Sequence, residues 1–220
     1  MKTILFKKDT SVVEKIEVGK ILCLGKNYLN HAKEMGGDIP KSPIIFMKPS
    51  SSIAEDFVIE IPKISNELHH EVELAVLIGK KGKNINLSDA NNFVSGYAVG
   101  LDMTLRDQQA LAKKEGTPWT IAKAFDTSAI FGTFIPQNEI ANPDNLEIKL
   151  SVNGNVKQHS NTNFMIYKID FIISYLSEIF LLEPGDIIFM GTPEGVGKVV
   201  SGDTIEAEIE GLPKLIAKIK

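Results

Sequence analysis

The chain has 220 residues, of which 43% are hydrophobic and 24% are charged, a composition typical of a globular protein long enough to bury a full core. Its net charge of −4 excludes the basic surface of a nucleic-acid-binding protein, and its single cysteine, Cys23, excludes an intramolecular disulfide framework. Because no apolar run is long enough to span a bilayer and the first residues lack a signal-peptide core, we expect a cytoplasmic protein with no nucleic-acid or membrane partner.

The first part of the chain predicts short strands and one short helix. Residues 1–20 alternate weakly and predict a strand or hairpin, and residues 21–24 predict a short buried strand. Asn27 is placed to cap a helix over residues 28–35, which the following pair of glycines would end.

That short helix carries the first candidate site residues, His31 and Glu34. At a spacing of i, i+3 they share one face of the helix, so His31 fits a general base that Glu34 orients. The alternative is an ordinary exposed polar pair. Because glycines flank the segment, it is also a candidate for a mobile lid.

Residues 40–64 predict extended structure. The apolar run at residues 44–47 ends directly at Lys48, which is either a site cation or the solvated end of a strand. Residues 57–61 alternate between hydrophobic and polar and predict a further strand.

The stretch from residue 69 to residue 79 predicts a β-strand with carboxylates at its start. Side chains on a strand alternate between faces, so His69, Glu71 and Glu73 point the same way, while residues 74–78 form the apolar run of a strand buried on both faces. Two like charges there resist desolvation unless a cation compensates them, and a divalent metal ion would do so. The alternative is that both glutamates lie on a solvated strand face.

A second strand delivers another carboxylate. Residues 90–94 predict a short helix with its N-cap at Ser88 or Asp89. Residues 97–101 then predict a strand with Asp102 at its end, where a carboxylate is well placed to face a cleft.

A helix predicted over residues 104–113 places Arg106 and Gln109 beside Asp102. The chain has 24 basic residues, and Arg106 is the only arginine among them. A guanidinium group binds a carboxylate or phosphate with two parallel hydrogen bonds, which an ammonium group does not, so Arg106 is interpreted as a site residue. The alternative is that the position of this single arginine is due to chance in a lysine-rich chain.

Lys123 lies in apolar surroundings, between Ala122 and Ala124. A lysine in this position either extends its amine to solvent or belongs to a site with a lowered pKa. Both interpretations stay open at this point.

The rest of the chain predicts mostly strands and one core helix. Strands are expected at residues 130–134, 146–152 and 187–190, with a type I′ turn at Asn153-Gly154 and a final hairpin near residues 203–213. Hydrophobic residues at helical spacing predict a core helix from Ile169 to Ile179. The glycine-rich segment GTPEGVG, which holds Gly191 and Thr192, can bring backbone N–H groups close to an anion, although it lacks the ending of a P-loop.

Three carboxylates, Glu71, Glu73 and Asp102, suit a hard cation such as Mg²⁺ or Mn²⁺ better than zinc, because no cysteine or histidine cluster accompanies them. Such a site leaves coordination positions open for a chelating 2-oxo acid. The metal ion would then act as a Lewis acid that stabilises an enolate at C2–C3.

Five segments together resemble the fumarylacetoacetate hydrolase family, from about residue 21 to the C-terminus. They are HHEVEL, GYAVGLDMTLRDQQ, GTPWTIAKAFD, FMIYKIDFIISYLS and EPGDIIFMGTPEGVG. The chain looks most similar to short, single-domain members that are acylpyruvases, oxaloacetate decarboxylases or oxaloacetate tautomerases. The resemblance implies an α+β fold, a β-rich mixed β-roll with short helices, in a catalytic domain over residues 21–220 that follows an extension of residues 1–20. It also implies a homodimer.

The same resemblance implies roles for individual residues. Glu71, Glu73 and Asp102 would bind the metal ion, and a lid helix would carry His31 and Glu34 to position or activate water. The remaining expected substrate contacts and catalytic groups are Arg106, Gln109, Lys123, Gly191 and Thr192, to which we add Lys48 as a substrate-binding cation.

We therefore expect a metal-dependent enzyme that acts on a 2-oxo or 2,4-dioxo acid through an enolate. Acylpyruvate hydrolysis, oxaloacetate decarboxylation and keto–enol tautomerisation share that enolate, so the sequence does not separate them. In hydrolysis His31 would deprotonate water, and Lys123 would donate a proton or stabilise the enolate. The alternatives are an isomerase, decarboxylase or fumarylpyruvate-type hydrolase of aromatic catabolism, or a non-catalytic dimer that binds a metal ion or metabolite.

Overall fold

The computed structural model describes residues 2–8, 12–34 and 40–220, and these residues form seventeen β-strands, four α-helices and several short 3-10 helices. The strands are β1 (Thr3–Lys7), β2 (Val13–Glu17), β3 (Ile21–Gly25), β4 (Ile44–Lys48), β5 (Val58–Ile59), β6 (Leu68–His70), β7 (Val72–Ile78), β8 (Val94–Asp102), β9 (Thr104–Leu105), β10 (Ala129–Phe131), β11 (Ile135–Pro136), β12 (Glu147–Val152), β13 (Asn155–Asn161), β14 (Ile187–Phe189), β15 (Gly197–Lys198), β16 (Thr204–Ile209) and β17 (Leu215–Ile219). The α-helices are α1 (Leu29–Glu34), α2 (Arg106–Glu115), α3 (Thr120–Lys123) and α4 (Ile169–Ile179). In these parts of the chain, no helix has the length and apolar character needed to cross a membrane.

The strands pair into sheets of mixed direction. The largest sheet has the order β10-β8-β7-β14-β3-β4, with β11 also paired to β8. A second sheet has the order β13-β12-β16-β17-β5, and two smaller ones are β15-β6-β9 and the hairpin β1-β2. The pairs β14–β3 and β17–β5 are parallel, whereas β7 pairs antiparallel with both β8 and β14. The β-rich α+β architecture predicted from the sequence is confirmed.

Strand β7 is buried along its whole length because the sheet around it is covered on both faces. Val72, Leu74 and Val76 belong to a core that also contains apolar residues of α4 and of the five-stranded sheet. Ala75 and Leu77, on the opposite face, belong to a second core built around aromatic residues of β10 and β14. The carboxylates of this strand therefore lie inside the protein.

The strand predicted from residue 69 to residue 79 is two strands that change partners at Glu71. Strand β6 pairs with β9 and β15, whereas β7 pairs with β8 and β14. The alternation of side chains continues through the break, so the sequence pattern does not reveal it. The backbone oxygen of Glu71 accepts a hydrogen bond of 2.9 Å from the backbone N–H of Asp102, which ties the break to the end of β8.

Most predicted elements are present with shifted ends. Helix α4 begins and ends at the predicted residues, Ile169 and Ile179. Asn153 and Gly154 have φ values of 51° and 78°, the two positive values that a type I′ turn requires. The helix predicted from residue 104 starts instead at Arg106, because residues 104–105 form a strand that pairs with β6.

One predicted element is wrong, and another is shorter than predicted. Residues 87–93 form a 3-10 helix whose N-cap is Asn86, instead of an α-helix over residues 90–94 capped by Ser88 or Asp89. The strand predicted over residues 57–61 contracts to β5, because Phe57 adopts a positive φ of 58°. The predicted glycine end of the first helix and its last residue lie outside the described residues.

Candidate active site

The three predicted metal ligands meet at one end of β7 and β8. Glu71 lies between β6 and β7, Glu73 lies on β7, and Asp102 ends β8. One carboxylate oxygen of each lies within 4.8 Å of the others, and none of the three residues is more than 4% exposed. The alternative of a solvated strand face is therefore wrong.

Three cations surround this acidic triad. The Nζ atom of Lys123 lies 2.7 Å from Oε2 of Glu71 and 2.7 Å from Oδ2 of Asp102. The Nζ atom of Lys48 lies 2.8 Å from the other oxygen of Asp102, and the guanidinium group of Arg106 pairs with Oε1 of Glu71. All of these ion pairs are with Glu71 and Asp102, and among the described residues Glu73 has none.

Burial and charge act differently on the three carboxylates. Burial raises the pKa of Glu73 well above its usual range, and the neighbouring charges of Asp102 and Glu71 raise it further. Burial also opposes the charged form of Glu71, but Lys123 and Arg106 outweigh it and hold the pKa of Glu71 below its usual range. Glu73 is the carboxylate with the least compensation, so added positive charge would stabilise it most.

Of the two interpretations offered for Lys123 from the sequence, extension to solvent is wrong, and the alternative of a buried position in the site agrees with the structure except in the direction of the pKa shift. Its side chain is buried, so it does not extend to solvent. Burial opposes its charged form, yet Asp102 and Glu71 overcome this and raise the pKa of Lys123 above its usual value. Lys123 therefore stands in the site as an ammonium group, and Phe46 covers it with its ring centroid 5.0 Å away.

Lys48 is neither a solvated strand end nor placed to touch a substrate. It is 1% exposed, its ammonium group donates to the backbone oxygen of Lys123, and it is not among the residues that line the cavity. The substrate-binding role predicted for Lys48 is corrected on this geometry. The residue instead neutralises the far side of Asp102 and anchors the backbone at Lys123.

Arg106 and Gln109 lie together in the first turns of α2. The Nη1 atom of Arg106 donates a hydrogen bond of 2.6 Å to Oε1 of Gln109, and both residues line the cavity. His69 lies 3.5 Å from the Nε atom of Arg106, behind the guanidinium group. The sequence left His69 as an outer or structural residue, and this contact is consistent with that role.

The His31–Glu34 pair forms as predicted. The Nδ1 atom of His31 lies 3.1 Å from Oε2 of Glu34, and His31 lines the cavity while it is only 5% exposed. The exposed-pair alternative is thus wrong for His31. Glu34 also accepts a hydrogen bond of 3.1 Å from the backbone N–H of Gly195, and Asn30 donates to Glu194 over 3.1 Å. Helix α1 is therefore docked on the glycine-rich loop.

The glycine-rich loop contacts the triad at Glu73. The backbone N–H of Gly191 donates a hydrogen bond of 2.6 Å to Oε2 of Glu73. Of the two substrate contacts predicted in this loop, only Thr192 lines the cavity. The sequence predicted that backbone N–H groups of this loop could approach an anion, and the N–H of Gly191 is taken by the carboxylate of Glu73.

Gln158 holds this loop in place, and sequence reasoning missed it. Its side chain is 1% exposed and donates to Oγ1 of Thr192 over 2.8 Å and to the backbone oxygen of Pro193 over 2.9 Å. Its Oε1 atom lies 3.1 Å from both the backbone N–H of Val72 and Nδ1 of His70. A glutamine on a hairpin strand carries no sequence signal for such a role.

The cavity also contains residues that the sequence did not assign. Phe46 and Trp119 form a tilted aromatic pair with centroids 5.7 Å apart, and Trp119 was recognisable as the only tryptophan of the chain. The full lining consists of Leu24, Gly25, Lys26, His31, Phe46, Glu71, Glu73, Arg106, Gln109, Lys113, Trp119, Lys123 and Thr192.

The triad fits a divalent metal ion. Its donors are carboxylate oxygens, which Mg²⁺ and Mn²⁺ prefer, and no histidine or cysteine belongs to the group found among the described residues. Among the described residues Glu73 forms no ion pair with the cations around the triad, so an added positive ion would compensate its buried charge.

Comparison with known proteins gives consistent matches over nearly the whole chain. The family model "Fumarylacetoacetate (FAA) hydrolase C-terminal" matches residues 20–220. The mitochondrial oxaloacetate decarboxylase of Dictyostelium discoideum is 48% identical over 195 residues, which cover 88% of this chain and 89% of that protein. The mitochondrial oxaloacetate tautomerase of Arabidopsis thaliana is 47% identical over 209 residues, 94% of each chain.

A solved structure shows the same fold. The fumarylpyruvate hydrolase of Pseudomonas aeruginosa, solved in complex with Mn²⁺ and pyruvate, superimposes with a TM-score of 0.92 at 36% identity, over 99% of this chain and 95% of that one. The expected β-roll of the fumarylacetoacetate hydrolase type is confirmed.

The cytoplasmic location predicted from the sequence is wrong. Both relatives named above are mitochondrial proteins, which contradicts the cytoplasmic location expected for this chain. That expectation depended on a single cysteine and on the lack of a signal-peptide core. These features argue only against an oxidising compartment, and several reducing compartments share them.

The matched family model covers nearly the whole chain, and the relatives exceed 45% identity over most of their length. The fold and the acidic triad agree with the resemblance found in the sequence. This chain belongs to the fumarylacetoacetate hydrolase family.

Proposed function

We propose that this protein is a divalent-metal-dependent enzyme that acts on a 2-oxo acid, either oxaloacetate or a 3-acylpyruvate. The observation that carries the proposal is the buried triad of Glu71, Glu73 and Asp102 beside a cavity that is lined by His31, Arg106 and Lys123. The relatives named as oxaloacetate decarboxylase and tautomerase support the substrate, and the Mn²⁺ and pyruvate of the fumarylpyruvate hydrolase structure support the cofactor and the product.

Glu71, Glu73 and Asp102 are the proposed ligands of Mg²⁺ or Mn²⁺. When bound, the ion would supply a Lewis acid that stabilises negative charge on the C2 oxygen of the 2-oxo acid. The N–H of Gly191 fixes the orientation of Glu73, and Lys48 fixes that of Asp102.

Arg106 positions the substrate. Its guanidinium group is held by Glu71 on one side and by Gln109 on the other, and it faces the cavity. A guanidinium fixed in this way binds a carboxylate with defined geometry. The Thr192 hydroxyl, which Gln158 orients, offers a further hydrogen bond.

Lys123 serves as the proton donor. In decarboxylation the C3–C4 bond breaks, CO₂ leaves, and the bonding electrons form the enolate of pyruvate. The Lys123 ammonium group then protonates C3 to give pyruvate. In tautomerisation from the enol to the keto form, the ammonium group of Lys123 protonates C3 and the C2 oxygen loses its proton. In the reverse direction, the amine form of Lys123 removes a proton from C3 and the C2 oxygen gains one.

His31 serves as the base for hydrolysis. Its Nδ1 atom is engaged by Glu34, which leaves Nε2 to accept a proton from water. The resulting hydroxide attacks the distal carbonyl, the C3–C4 bond breaks, and the products are a carboxylic acid and the same pyruvate enolate. Decarboxylation uses no water, so it does not depend on this pair.

A second candidate is a fumarylpyruvate-type hydrolase of aromatic catabolism, which the structural match favours. A non-catalytic binding protein is disfavoured, because such a protein would not need His31, Glu34 and Lys123 arranged around one cavity. We also propose the homodimer and the domain boundary at residue 20 on the family resemblance. Light scattering on the purified protein tests the dimer.

A substrate panel tests the proposed function. Oxaloacetate, acetylpyruvate and fumarylpyruvate are each followed at the enol absorbance after removal of metal by EDTA and after addition of Mg²⁺ or Mn²⁺. We expect turnover of at least one substrate that returns only with metal. Metal-dependent turnover of none of the three would refute the proposal.

His31→Ala tests the division between the reactions. We expect hydrolysis of an acylpyruvate to fall by about 100-fold or more, while oxaloacetate decarboxylation falls much less. His159→Ala, at an exposed histidine far from the cavity lining, is the control and should change neither rate. Equal losses of both activities in His31→Ala would refute its role as the water base.

A further inference from the structure

The cavity contains two lysines that the chemistry described above does not use. Lys26 and Lys113 line it together with Glu71, Glu73, Arg106 and Trp119. Lys26 follows the end of β3, and Lys113 lies in the last turn of α2. They reach the cavity from separate elements, so their shared position is not a consequence of sequence proximity.

The backbone at Lys26 is held in an unusual conformation. Its φ is 57°, in the left-handed region that residues other than glycine, asparagine and aspartate rarely adopt. Such conformations cost free energy and concentrate at functional sites. The preceding Gly25 packs so closely that an added Cβ atom would lie 3.3 Å from the Trp119 ring. The turn therefore packs against that ring through Gly25, and Lys26 lines the cavity.

Lys113 is held against the same ring. Its Nζ atom lies 5.3 Å from the centroid of Trp119, within the range of a cation–π contact. Lys113 is exposed on its outer side, yet partial burial lowers its pKa, and the charges of Arg106 and Lys26 lower it further. Because Lys26, Arg106 and Lys113 line one cavity, their charges repel one another there, and an anion in the cavity would relieve the repulsion.

The ion pairs around the triad do not involve these two lysines. Lys48, Lys123 and Arg106 pair with Glu71 and Asp102. Among the described residues neither Lys26 nor Lys113 forms an ion pair, whereas Lys123, the third lysine that lines the cavity, forms two. Two unpaired cations at the cavity favour an anionic group of the ligand.

We propose that Lys26 and Lys113 form a subsite for the distal carboxylate of a dicarboxylic 2-oxo acid, so that the enzyme selects dianionic over monoanionic substrates. This inference rests on the proposed function, in which the triad and Arg106 hold the 2-oxo acid end. The distal carboxylate would accept hydrogen bonds from both ammonium groups beside Trp119.

A simpler role for Lys113 is to complement the helix dipole at the end of α2. Lys114 lies in the same last turn and shares that role, but it does not line the cavity. Lys114→Gln is therefore the matched control for Lys113→Gln, because both changes remove one positive charge from the same helix end.

Ligand pairs of equal length test the subsite. Calorimetry on the Mg²⁺-loaded protein compares 2-oxoglutarate, a dianion, with 2-oxopentanoate, its monoanionic counterpart. The wild type should bind 2-oxoglutarate at least about tenfold more tightly, and Lys113→Gln and Lys26→Gln should each remove most of this preference. Lys114→Gln should retain it. In turnover, the two cavity variants should raise the KM for oxaloacetate about tenfold and leave the kcat/KM for acetylpyruvate nearly unchanged.

The outcomes separate this inference from the proposed function. If the wild type binds both ligands equally, or if Lys113→Gln and Lys26→Gln keep the preference for 2-oxoglutarate, the subsite does not exist. If the wild type turns over neither oxaloacetate nor acetylpyruvate, the proposed function fails. The calorimetric comparison of 2-oxoglutarate with 2-oxopentanoate still decides whether the subsite exists.

Discussion

The ammonium group of Lys123 lies 2.7 Å from the Oε2 atom of Glu71. It makes a second contact of the same length with Asp102. Lys123 therefore supplies positive charge at the place where a metal ion would bind, so the ion and the ammonium group interact with the same two carboxylates.

Lys123→Met should separate metal binding from catalysis. Removal of the ammonium group leaves Glu71 and Asp102 with less compensation, so affinity for Mn²⁺ should stay equal or increase. Turnover of the 2-oxo acid should fall by about 100-fold or more because the proton donor is lost. Calorimetry with Mn²⁺ and steady-state kinetics measure the two effects. Loss of metal affinity in parallel with activity would show that Lys123 holds the ligands and does not transfer the proton.

Gln158→Leu should weaken both the fold and the substrate loop. The change leaves His70, the backbone N–H of Val72 and Thr192 without their buried partner. We expect a loss of about 3 kcal/mol in the free energy of unfolding and a higher KM. Lys157→Gln, at the exposed neighbour on the same strand, should change neither. Urea unfolding and kinetics test this, and an unchanged KM would exclude a positioning role.

Gly195 is expected to tolerate no side chain, because its backbone approaches another strand. Its φ is 88°, and an added Cβ atom would lie 2.2 Å from the backbone oxygen of Lys157. Gly202 has a similar φ of 94°, but an added Cβ atom would meet nothing within 4 Å. Gly202→Ala should cost about 1 kcal/mol of stability from backbone strain alone. Gly195→Ala should cost more and also lower hydrolysis, because the N–H of Gly195 donates to Glu34. Equal losses of stability would contradict the close approach.

The stability of the fold should decrease with acid through His70. Burial lowers its pKa from 6.5 to about 4, and the hydrogen bond with Gln158 offsets this only in part. The unfolded chain then binds more protons than the folded one between pH 6.5 and pH 4. Stability should therefore decrease as the pH falls through this window, by on the order of 3 kcal/mol once below pH 4.

His70→Asn isolates this contribution, because its amide can still donate to Gln158 and does not titrate. Urea unfolding between pH 4 and pH 7 should show a flatter pH dependence in this variant than in the wild type. His159→Asn, at an exposed histidine, should follow the wild type. An unchanged slope in His70→Asn would contradict the account.

Much of the site was predictable because its signals are local. Glu71 and Glu73 share a strand face, and the only arginine stands four residues after Asp102. The spacing of apolar residues placed α4 at its observed ends. Each of these patterns spans only a few neighbouring residues, so the order of residue types along the sequence is enough to predict it.

The parts that the sequence did not predict depend on contacts between distant segments. Lys48 follows an apolar run like any strand end, and only the three-dimensional packing buries it against Asp102. The break at Glu71 arises because β6 and β7 join different sheets. Gln158 reaches the loop at Thr192 from a hairpin 34 residues earlier in the chain. Such contacts leave no periodic pattern in one sequence.

The most direct test of the central claim is metal binding by the acidic triad. Calorimetric titration of the metal-free protein with Mn²⁺ should give one site per chain, and Glu73→Gln should abolish it while the fold, measured by circular dichroism, persists. Glu67→Gln, at an exposed glutamate near the same strands, should bind Mn²⁺ like the wild type. Retention of wild-type affinity by Glu73→Gln would contradict the account.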